Sequence, residues 1–283
     1  MKPDPASLSL AARDVRRYDR DRFVLALLAP AARREALFCL YAFNSEIARV
    51  RELVSEPLMG RIRLQWWQDK LEAIYAGTDR RDHPLADDLA GVIRAHGLPQ
   101  RLFIRLLQQR QADLEPDPFA DRQALTDYVE ATASGLAQLS ACILGGADEP
   151  TVRAAHEAGM AWGLVGLLRA LPFQAAQGRV ILPGDLLARH GVAAADLLAG
   201  RTSPALAALS RDLAQEAAGH LGRARALRAA VPATARPALL QATAADVYLD
   251  RLAAAGFDPL STGWSRPRPR PLLLAWRAWR RRY

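Results

Sequence analysis

The chain has 283 residues, of which 51% are hydrophobic and 24% are charged, which is enough apolar sequence for one large buried core or two small ones. The sequence has only two cysteines, about a hundred positions apart, which excludes a disulfide framework and a cysteine zinc site. Its apolar runs, such as residues 23–28 and 164–168, are too short to span a membrane. The net charge is +8 and comes almost entirely from arginine, and this heavy use of arginine and alanine indicates a GC-rich bacterial source.

The first half of the chain is predicted to form helices that end at prolines and glycines. Asp121 is placed to cap the last of them, because an aspartate side chain accepts hydrogen bonds from a helix N-terminus. The predicted ranges are about 10–28, 31–55, 58–75, 84–97, 99–115 and 121–145. Residues 1–9 lack the apolar core of a secretory signal, so we expect a cytoplasmic protein.

In the second half, a helix from Glu149 is predicted to break at Pro172, and residues 178–183 are predicted to form an extended connector. Two or three short helices follow, then helices at about 203–230, 233–254 and 271–283. Roughly ten helices without an alternating strand pattern predict an all-α protein with a single large helical bundle. We place a helical domain at 1–262, and a Pro/Arg-rich spacer with a basic terminal helix at 263–283.

Two of these helices have unusual faces. On the second helix, spacings of three and four put polar and small residues on one face, namely Ser45, Ala48, Arg49 and Glu52. On the helix before Pro172, the same spacing aligns Gly159, Gly163, Gly166, Ala170 and Gln174. A glycine and alanine face either lets another helix approach closely or leaves room for a long apolar ligand.

Several short segments, in order, resemble squalene and phytoene synthases between about residues 10 and 255. They are Leu40-Tyr41-Ala42-Phe43-Asn44, Gln65-Trp66-Trp67, residues 128–144, Leu167-Leu168-Arg169 and residues 178–183. The resemblance implies the helical fold of isoprenoid synthases and a head-to-head condensation of two prenyl diphosphates. It also implies two Asp-rich motifs on facing helices that hold Mg²⁺ against the diphosphates, as the hard oxygen ligands of Mg²⁺ require.

Carried over position by position, the first motif falls on Ala48, Arg49 and Glu52, and the second falls on Ala170 and Gln174. The aspartates that the resemblance expects at positions 48, 49, 170 and 174 are absent, and only Glu52 keeps a carboxylate. We therefore expect no bound metal or other cofactor and no prenyl synthase activity. Mg²⁺ would be a cofactor only if the chain were a synthase. The residues expected to face the cavity or a diphosphate are Asn44, Ser45, Arg49, Gly159, Gly163, Gly166, Arg169 and Arg179.

The sequence resembles most the branch of this family that has lost the aspartates and is related to the mitochondrial assembly factor for respiratory complex I. This resemblance rests on residues 42–44, Glu46, 54–56, 169–173, 182–183, 190–192 and the end of the chain from Ala275. It implies a non-catalytic protein that assists complex I assembly, with complex I subunits or assembly intermediates as partners. The alternatives are a prenyl transferase with an arginine-based site and a carrier of an isoprenoid or quinone-like lipid.

Several residues also have ordinary structural explanations. A basic amphipathic helix at the end of the chain contains Trp276, Trp279 and Arg280. It either contacts a membrane or a protein partner or packs against the rest of the protein. The membrane in question would be the inner membrane, on its mitochondrial matrix side if the source is eukaryotic. Three carboxylates, Glu46, Glu52 and Glu56, are expected to pair with nearby arginines rather than to hold metal. The adjacent Trp66 and Trp67 point in different directions, so at least one is expected in the core. Nucleic-acid binding is not expected, because the basic residues cluster in the tail.

Overall fold

The computed structural model of the protein describes residues 8–116, 119–280 and 282–283. The first seven residues, most of the segment scanned for a signal, lie outside these ranges. Every regular element within the ranges is helical, which confirms the all-α prediction. The helices are α1 Leu10–Tyr18, α2 Arg20–Leu27, α3 Ala31–Ala48, α4 Val50–Leu53, α5 Pro57–Ala76, α6 Pro84–His96, α7 Gln100–Arg110, α8 Arg122–Val129, α9 Gly135–Ile143, α10 Glu149–Ala176, α11 Gly184–His190, α12 Ala194–Leu198, α13 Pro204–Ala226, α14 Gln241–Ala254 and α15 Pro271–Trp279.

Two of the predicted long helices are interrupted. The helix predicted over 10–28 breaks at Asp19, whose carboxylate accepts a hydrogen bond of 3.0 Å from the backbone N–H of Arg22 and so caps α2. The helix predicted over 31–55 breaks at Arg49, which separates α3 from α4. The prediction of continuous helices was wrong in both places. At Asp19 the capping side chain offers the backbone an alternative partner, whereas at Arg49 the backbone leaves the helical conformation without a side-chain cap.

Pro172 does not end the helix that begins at Glu149, so that prediction was also wrong. The residue lies inside α10, which continues to Ala176. A proline inside a helix costs about 3 kcal/mol, because it removes one backbone hydrogen bond and crowds the preceding turn. On both sides of it, Leu168, Leu171 and Ala175 are buried, and this burial offsets the local cost.

The bundle is arranged around α10, which packs against α9, α13 and α14. An aromatic cluster fills the space between α3, α5 and α7, where the ring of Phe43 lies 4.9 Å from Trp67 and 5.6 Å from Phe103. Trp67 is fully buried, whereas Trp66 is half-exposed, and this confirms that at least one of the pair packs in the core. None of the helices in the described ranges has the length and apolarity needed to cross a membrane.

The C-terminal segment lies against the bundle. Trp264, Leu274 and Tyr283 are buried. The hydroxyl of Tyr283 donates a hydrogen bond of 3.2 Å to the carbonyl of Ala224, and the backbone N–H of Arg268 donates one of 3.2 Å to the hydroxyl of Tyr248. These contacts hold α15 in a defined orientation.

Candidate functional site

Four of the five motif positions face one cavity. It has a volume of about 270 Å³, and its walls come mainly from α3, α4, α8 and α10. Ala48 and Glu52 line it from one side, and Ala170 and Gln174 line it from α10. Residues more than a hundred positions apart in the sequence therefore meet at one site.

Arg49, the fifth motif residue, is not among the residues that line this cavity. Its guanidinium lies 3.5 Å from the ring centroid of Tyr18 and forms an ion pair of 3.3 Å with Glu52. The break between α3 and α4 at Arg49 accompanies this orientation. Glu46 pairs with Arg63 at 3.5 Å, so the expected arginine pairing is confirmed for Glu46 and Glu52.

The three glycines of α10 differ in what surrounds them. A Cβ on Gly159 would lie 2.4 Å from the Cα of Ser134, and one on Gly163 would lie 2.5 Å from a methyl of Val129. A Cβ on Gly166 would meet nothing within 4 Å. Close helix packing therefore accounts for Gly159 and Gly163, although Gly163 also lines the cavity, and Gly166 alone borders open space.

Two of the expected residues do not line the cavity. Asn44 and Ser45 are buried in α3 and are not among the lining residues. The side-chain oxygen of Asn44 has no hydrogen-bond partner among the described residues. They contribute to the packing of α3 rather than to the cavity wall.

Arg179 lines the cavity and is 5% exposed. Its guanidinium donates hydrogen bonds of 2.6 Å to Oε1 of Gln174 and 2.9 Å to the carbonyl of Glu115. Burial lowers the pKa of Arg179, and the neighbouring Arg51 acts in the same direction. Arg51 donates to the carbonyl of Leu114 at 3.1 Å, and neither arginine forms an ion pair with a carboxylate in the described part of the chain. The cavity therefore has a positive wall.

A half-buried cluster of polar side chains beside this wall was not predicted. Arg110 donates hydrogen bonds to Asp113 at 3.0 Å and to the hydroxyl of Tyr128 at 2.7 Å, and that hydroxyl donates to Asp113 at 2.7 Å. Burial raises the pKa of Tyr128, so it stays protonated. The i,i+3 spacing of Arg110 and Asp113 at the end of α7 is the only sequence signal that could have indicated the cluster.

Arg169 does not line the cavity and binds residues outside it. It forms an ion pair of 3.1 Å with the buried Asp21, lies 3.8 Å from the ring centroid of Tyr248, and donates a hydrogen bond of 3.1 Å to the carbonyl of Ser265. Its role is to connect α2, α10 and α14 to the C-terminal segment.

The cavity residues do not fit a Mg²⁺–diphosphate site. Among the residues that line it, the carboxylates are Glu52 and Asp113, and each is already paired with an arginine. Mg²⁺ needs free oxygen ligands in octahedral geometry, which alanine and a glutamine engaged by Arg179 do not supply. Within the described ranges, no group of three or more histidines, cysteines or carboxylates could hold a metal ion.

The residues expected to contact a membrane or partner lie on the outer side of α15. Trp276 and Trp279 are exposed, and the guanidinium of Arg280 lies 5.6 Å from the ring centroid of Trp276. This surface is separate from the cavity, because none of the three residues lines it.

The chain is similar to several known proteins. A family model described as squalene/phytoene synthase matches residues 15–277. Complex I assembly factor 6 of Bos taurus is 34% identical over 271 residues, which cover 95% of this chain and 81% of the relative. A crystal structure of the squalene synthase HpnC from Alicyclobacillus acidocaldarius has a TM-score of 0.77 at 21% identity, covering 88% of this chain and 94% of that one. A dehydrosqualene synthase has a TM-score of 0.79 at 18% identity, covering 95% of this chain and 94% of that one.

Proposed function

The chain belongs to the squalene/phytoene synthase family, and we propose that it is a non-catalytic member that supports the assembly of respiratory complex I. The observation that carries this proposal is the similarity to complex I assembly factor 6, which extends over nearly the whole chain and is not confined to the motif helices. The expected partners are complex I subunits or assembly intermediates.

The chemistry of the cavity supports the non-catalytic part of the proposal. Departure of an allylic diphosphate leaves a multiply charged anion, which metal ions neutralise best in the transition state. Ala48, Ala170 and Gln174 occupy the cavity positions where the resemblance expects aspartates, and Glu52 is already paired with Arg49. A Mg²⁺-assisted ionisation would therefore lack its ligands.

The size of the cavity supports the same proposal. A volume of about 270 Å³ is close to the lower end of the range of roughly 300–1,000 Å³ that pockets for a single small ligand usually have. Two prenyl diphosphates held side by side would need considerably more space.

The test is a deletion of the gene in its source organism, followed by measurement of NADH:ubiquinone oxidoreductase activity in isolated membranes. We expect that activity to fall, fully assembled complex I to decrease on native gels, and both to recover when the gene is restored. Succinate dehydrogenase activity in the same membranes is the control and should not change. Normal complex I activity in the deletion strain would refute the proposal.

The same strain distinguishes an assembly role from a catalytic one. Complementation with an Ala170→Asn/Gln174→Asn variant changes the cavity chemistry but leaves the outer surface intact. If the protein acts through partner contacts, this variant restores complex I. If restoration requires the original cavity residues, a bound ligand or a reaction is part of the role.

The cavity favours a second candidate function, binding of an isoprenoid or quinone-like lipid. Its walls combine apolar residues such as Trp162 and Leu167 with the charged Arg51 and Arg179, a pattern suited to a ligand with an apolar body and an anionic or polar head. Native mass spectrometry of the protein purified from its own organism would reveal a retained lipid. Its absence, together with no binding of added quinone, would eliminate this candidate.

The transferase alternative is tested by incubation with radiolabelled farnesyl and geranylgeranyl diphosphate, with and without Mg²⁺. We expect neither an apolar product nor released diphosphate, beside an active synthase as the control. Release of diphosphate would show that the arginines of the cavity replace the metal, and would restore the synthase function.

A further inference from the structure

The outer face of α15 carries large apolar side chains that nothing in the described structure covers. Leu272 is 86% exposed, Trp276 is 46% exposed and Trp279 is 75% exposed. Their spacing of four and three residues places them on one stripe of the helix. Exposing these side chains to water is unfavourable, so the stripe is a candidate binding surface.

The opposite face of α15 holds this stripe in place. Leu274 is buried against the bundle, and Tyr283, which follows the helix, donates its hydroxyl hydrogen bond to Ala224 in α13. The side chain of Arg225 also donates a hydrogen bond of 3.0 Å to the carbonyl of Tyr283. The stripe therefore points away from the protein instead of folding back onto it.

The surroundings of the stripe are strongly basic. Residues 263–283 contain no aspartate or glutamate. Among the described residues of this segment, five arginines are exposed, namely Arg266, Arg268, Arg270, Arg280 and Arg282. The ion pairs of the described residues include none of them, although many other arginines of the protein are paired with carboxylates. Their charge is thus available to a partner.

We propose that α15, together with the arginines around it, docks the protein on an anionic phospholipid surface. Such a surface offers the two chemistries that the segment needs, phosphate groups for the arginines and an apolar interior for Leu272. Tryptophan suits the boundary between them, because its ring is apolar and its N–H is polar. The inference does not depend on a role in complex I assembly, since it rests on α15 and the arginines around it.

A nucleic acid fits the segment less well. It would satisfy the arginines through its phosphates, but it offers no apolar interior for an aliphatic side chain as exposed as Leu272. A protein groove could cover the stripe, yet it would also need carboxylates opposite five arginines, three of which precede α15 in the chain and two of which follow it. A lipid surface meets both requirements without a matching shape.

The test is co-sedimentation of the full-length protein with vesicles of phosphatidylcholine alone or mixed with phosphatidylglycerol. We expect binding only to the mixed vesicles, and this binding should weaken as salt is raised, because ions screen the arginines. Replacing the stripe in a Leu272→Ser/Trp276→Ser/Trp279→Ser variant should reduce affinity by more than about tenfold. Replacing Arg266, Arg268 and Arg270 with glutamine should reduce it by about a hundredfold, at about fivefold for each arginine.

The matched control is a Leu58→Ser/Met59→Ser/Ile62→Ser variant of α5. These residues are also exposed, but the arginines between and beside them, Arg61 and Arg63, pair with Glu115 and Glu46. This variant should bind the mixed vesicles as the unaltered protein does. Circular dichroism and thermal unfolding check that each variant is folded.

Three outcomes would overturn the proposal. The first is absence of binding to the mixed vesicles at low salt. The second is equal loss of binding in the α5 variant, which would make general apolarity responsible. The third is binding to duplex DNA that is as tight as vesicle binding and is lost in the same α15 variants, which would assign the surface to nucleic acid.

Discussion

Arg179 donates a hydrogen bond of 2.6 Å from its guanidinium to Oε1 of Gln174, and its backbone N–H donates one of 2.9 Å to the carbonyl of the same residue. The contact places a cation against the α10 position where the family resemblance expects a metal-binding aspartate. A guanidinium there repels Mg²⁺ and occupies the oxygen that could otherwise bind it. The pair therefore explains, in one contact, why this cavity is unsuited to metal-assisted chemistry.

The first prediction concerns metal dependence. The melting temperature of the unaltered protein should be the same with EDTA and with Mg²⁺. An Ala48→Asp/Ala170→Asp/Gln174→Asp variant places three carboxylates on the cavity wall, so Mg²⁺ at ten times its Kd should stabilise it by about 1.4 kcal/mol. The corresponding triple asparagine variant is the control and should respond much less. A Mg²⁺-dependent stabilisation of the unaltered protein would contradict the prediction.

The second prediction separates the two roles of the α10 glycines. Gly159→Ala should destabilise the protein by about 2 kcal/mol, because the new methyl would meet the backbone of Ser134. Gly166→Ala should stabilise it by about 0.5–1 kcal/mol, because alanine favours a helix and the site is open. Urea unfolding of both variants measures the difference. Similar free energies of unfolding for the two would mean that α10 and the π-helical segment Glu130–Ser134 are not in close contact.

The third prediction concerns pH. Burial raises the pKa of the Cys39 thiol from its ordinary value of 9.0 to about 12. Above pH 9 the unfolded chain loses this proton and the folded protein keeps it, so the stability from this group is complete below pH 9 and declines as the pH rises toward 12. The slope for one such group is about 1.4 kcal/mol per pH unit.

Thermal or urea unfolding between pH 8 and about pH 11 tests this prediction by comparing the unaltered protein with a Cys39→Ala variant. The variant should start with lower stability, because a buried side chain is shortened, but should lose less of it as the pH rises. Parallel curves for the two proteins would show that the thiol of Cys39 ionises as easily in the folded state as in the unfolded state.

The fourth prediction concerns the network that joins α2, α10 and α14. Asp21 accepts hydrogen bonds of 3.0 and 2.9 Å from the hydroxyl of Tyr248 and forms its ion pair with Arg169. Asp21→Ala should cost about 3–5 kcal/mol, because it leaves the guanidinium of Arg169 without its carboxylate in a largely buried site. Tyr248→Phe should cost about 1–2 kcal/mol.

A double-mutant cycle distinguishes a network from independent contacts. The combined Asp21→Ala/Tyr248→Phe variant should lose less stability than the sum of the two single changes, because the hydroxyl bond is already absent once Asp21 is replaced. Additive losses in urea unfolding would show that the hydrogen bond between Tyr248 and Asp21 contributes no coupling energy.

Much of the candidate site could be predicted from the sequence. The ordered motif segments locate α3 and α10, and the family resemblance assigns the motifs to positions that include Ala48, Glu52, Ala170 and Gln174, which line one cavity. Spacing could not reveal that Arg49 turns toward Tyr18, because that orientation depends on the break at the end of α3. Nor could it reveal that Gly159 packs against Ser134 in the π-helical segment Glu130–Ser134, because a glycine face is compatible with either packing or open space.

The sequence by itself determined the helical class, most helix boundaries and the family, because these depend on local periodicity, on proline and glycine positions, and on the order of short motifs. Only the tertiary structure decided that α10 continues through Pro172, that Arg169 is bound to Asp21, and that the face of α15 with Trp276 points outward. Each of these outcomes depends on burial and on charge partners far away along the chain, and local sequence patterns carry no information about such partners.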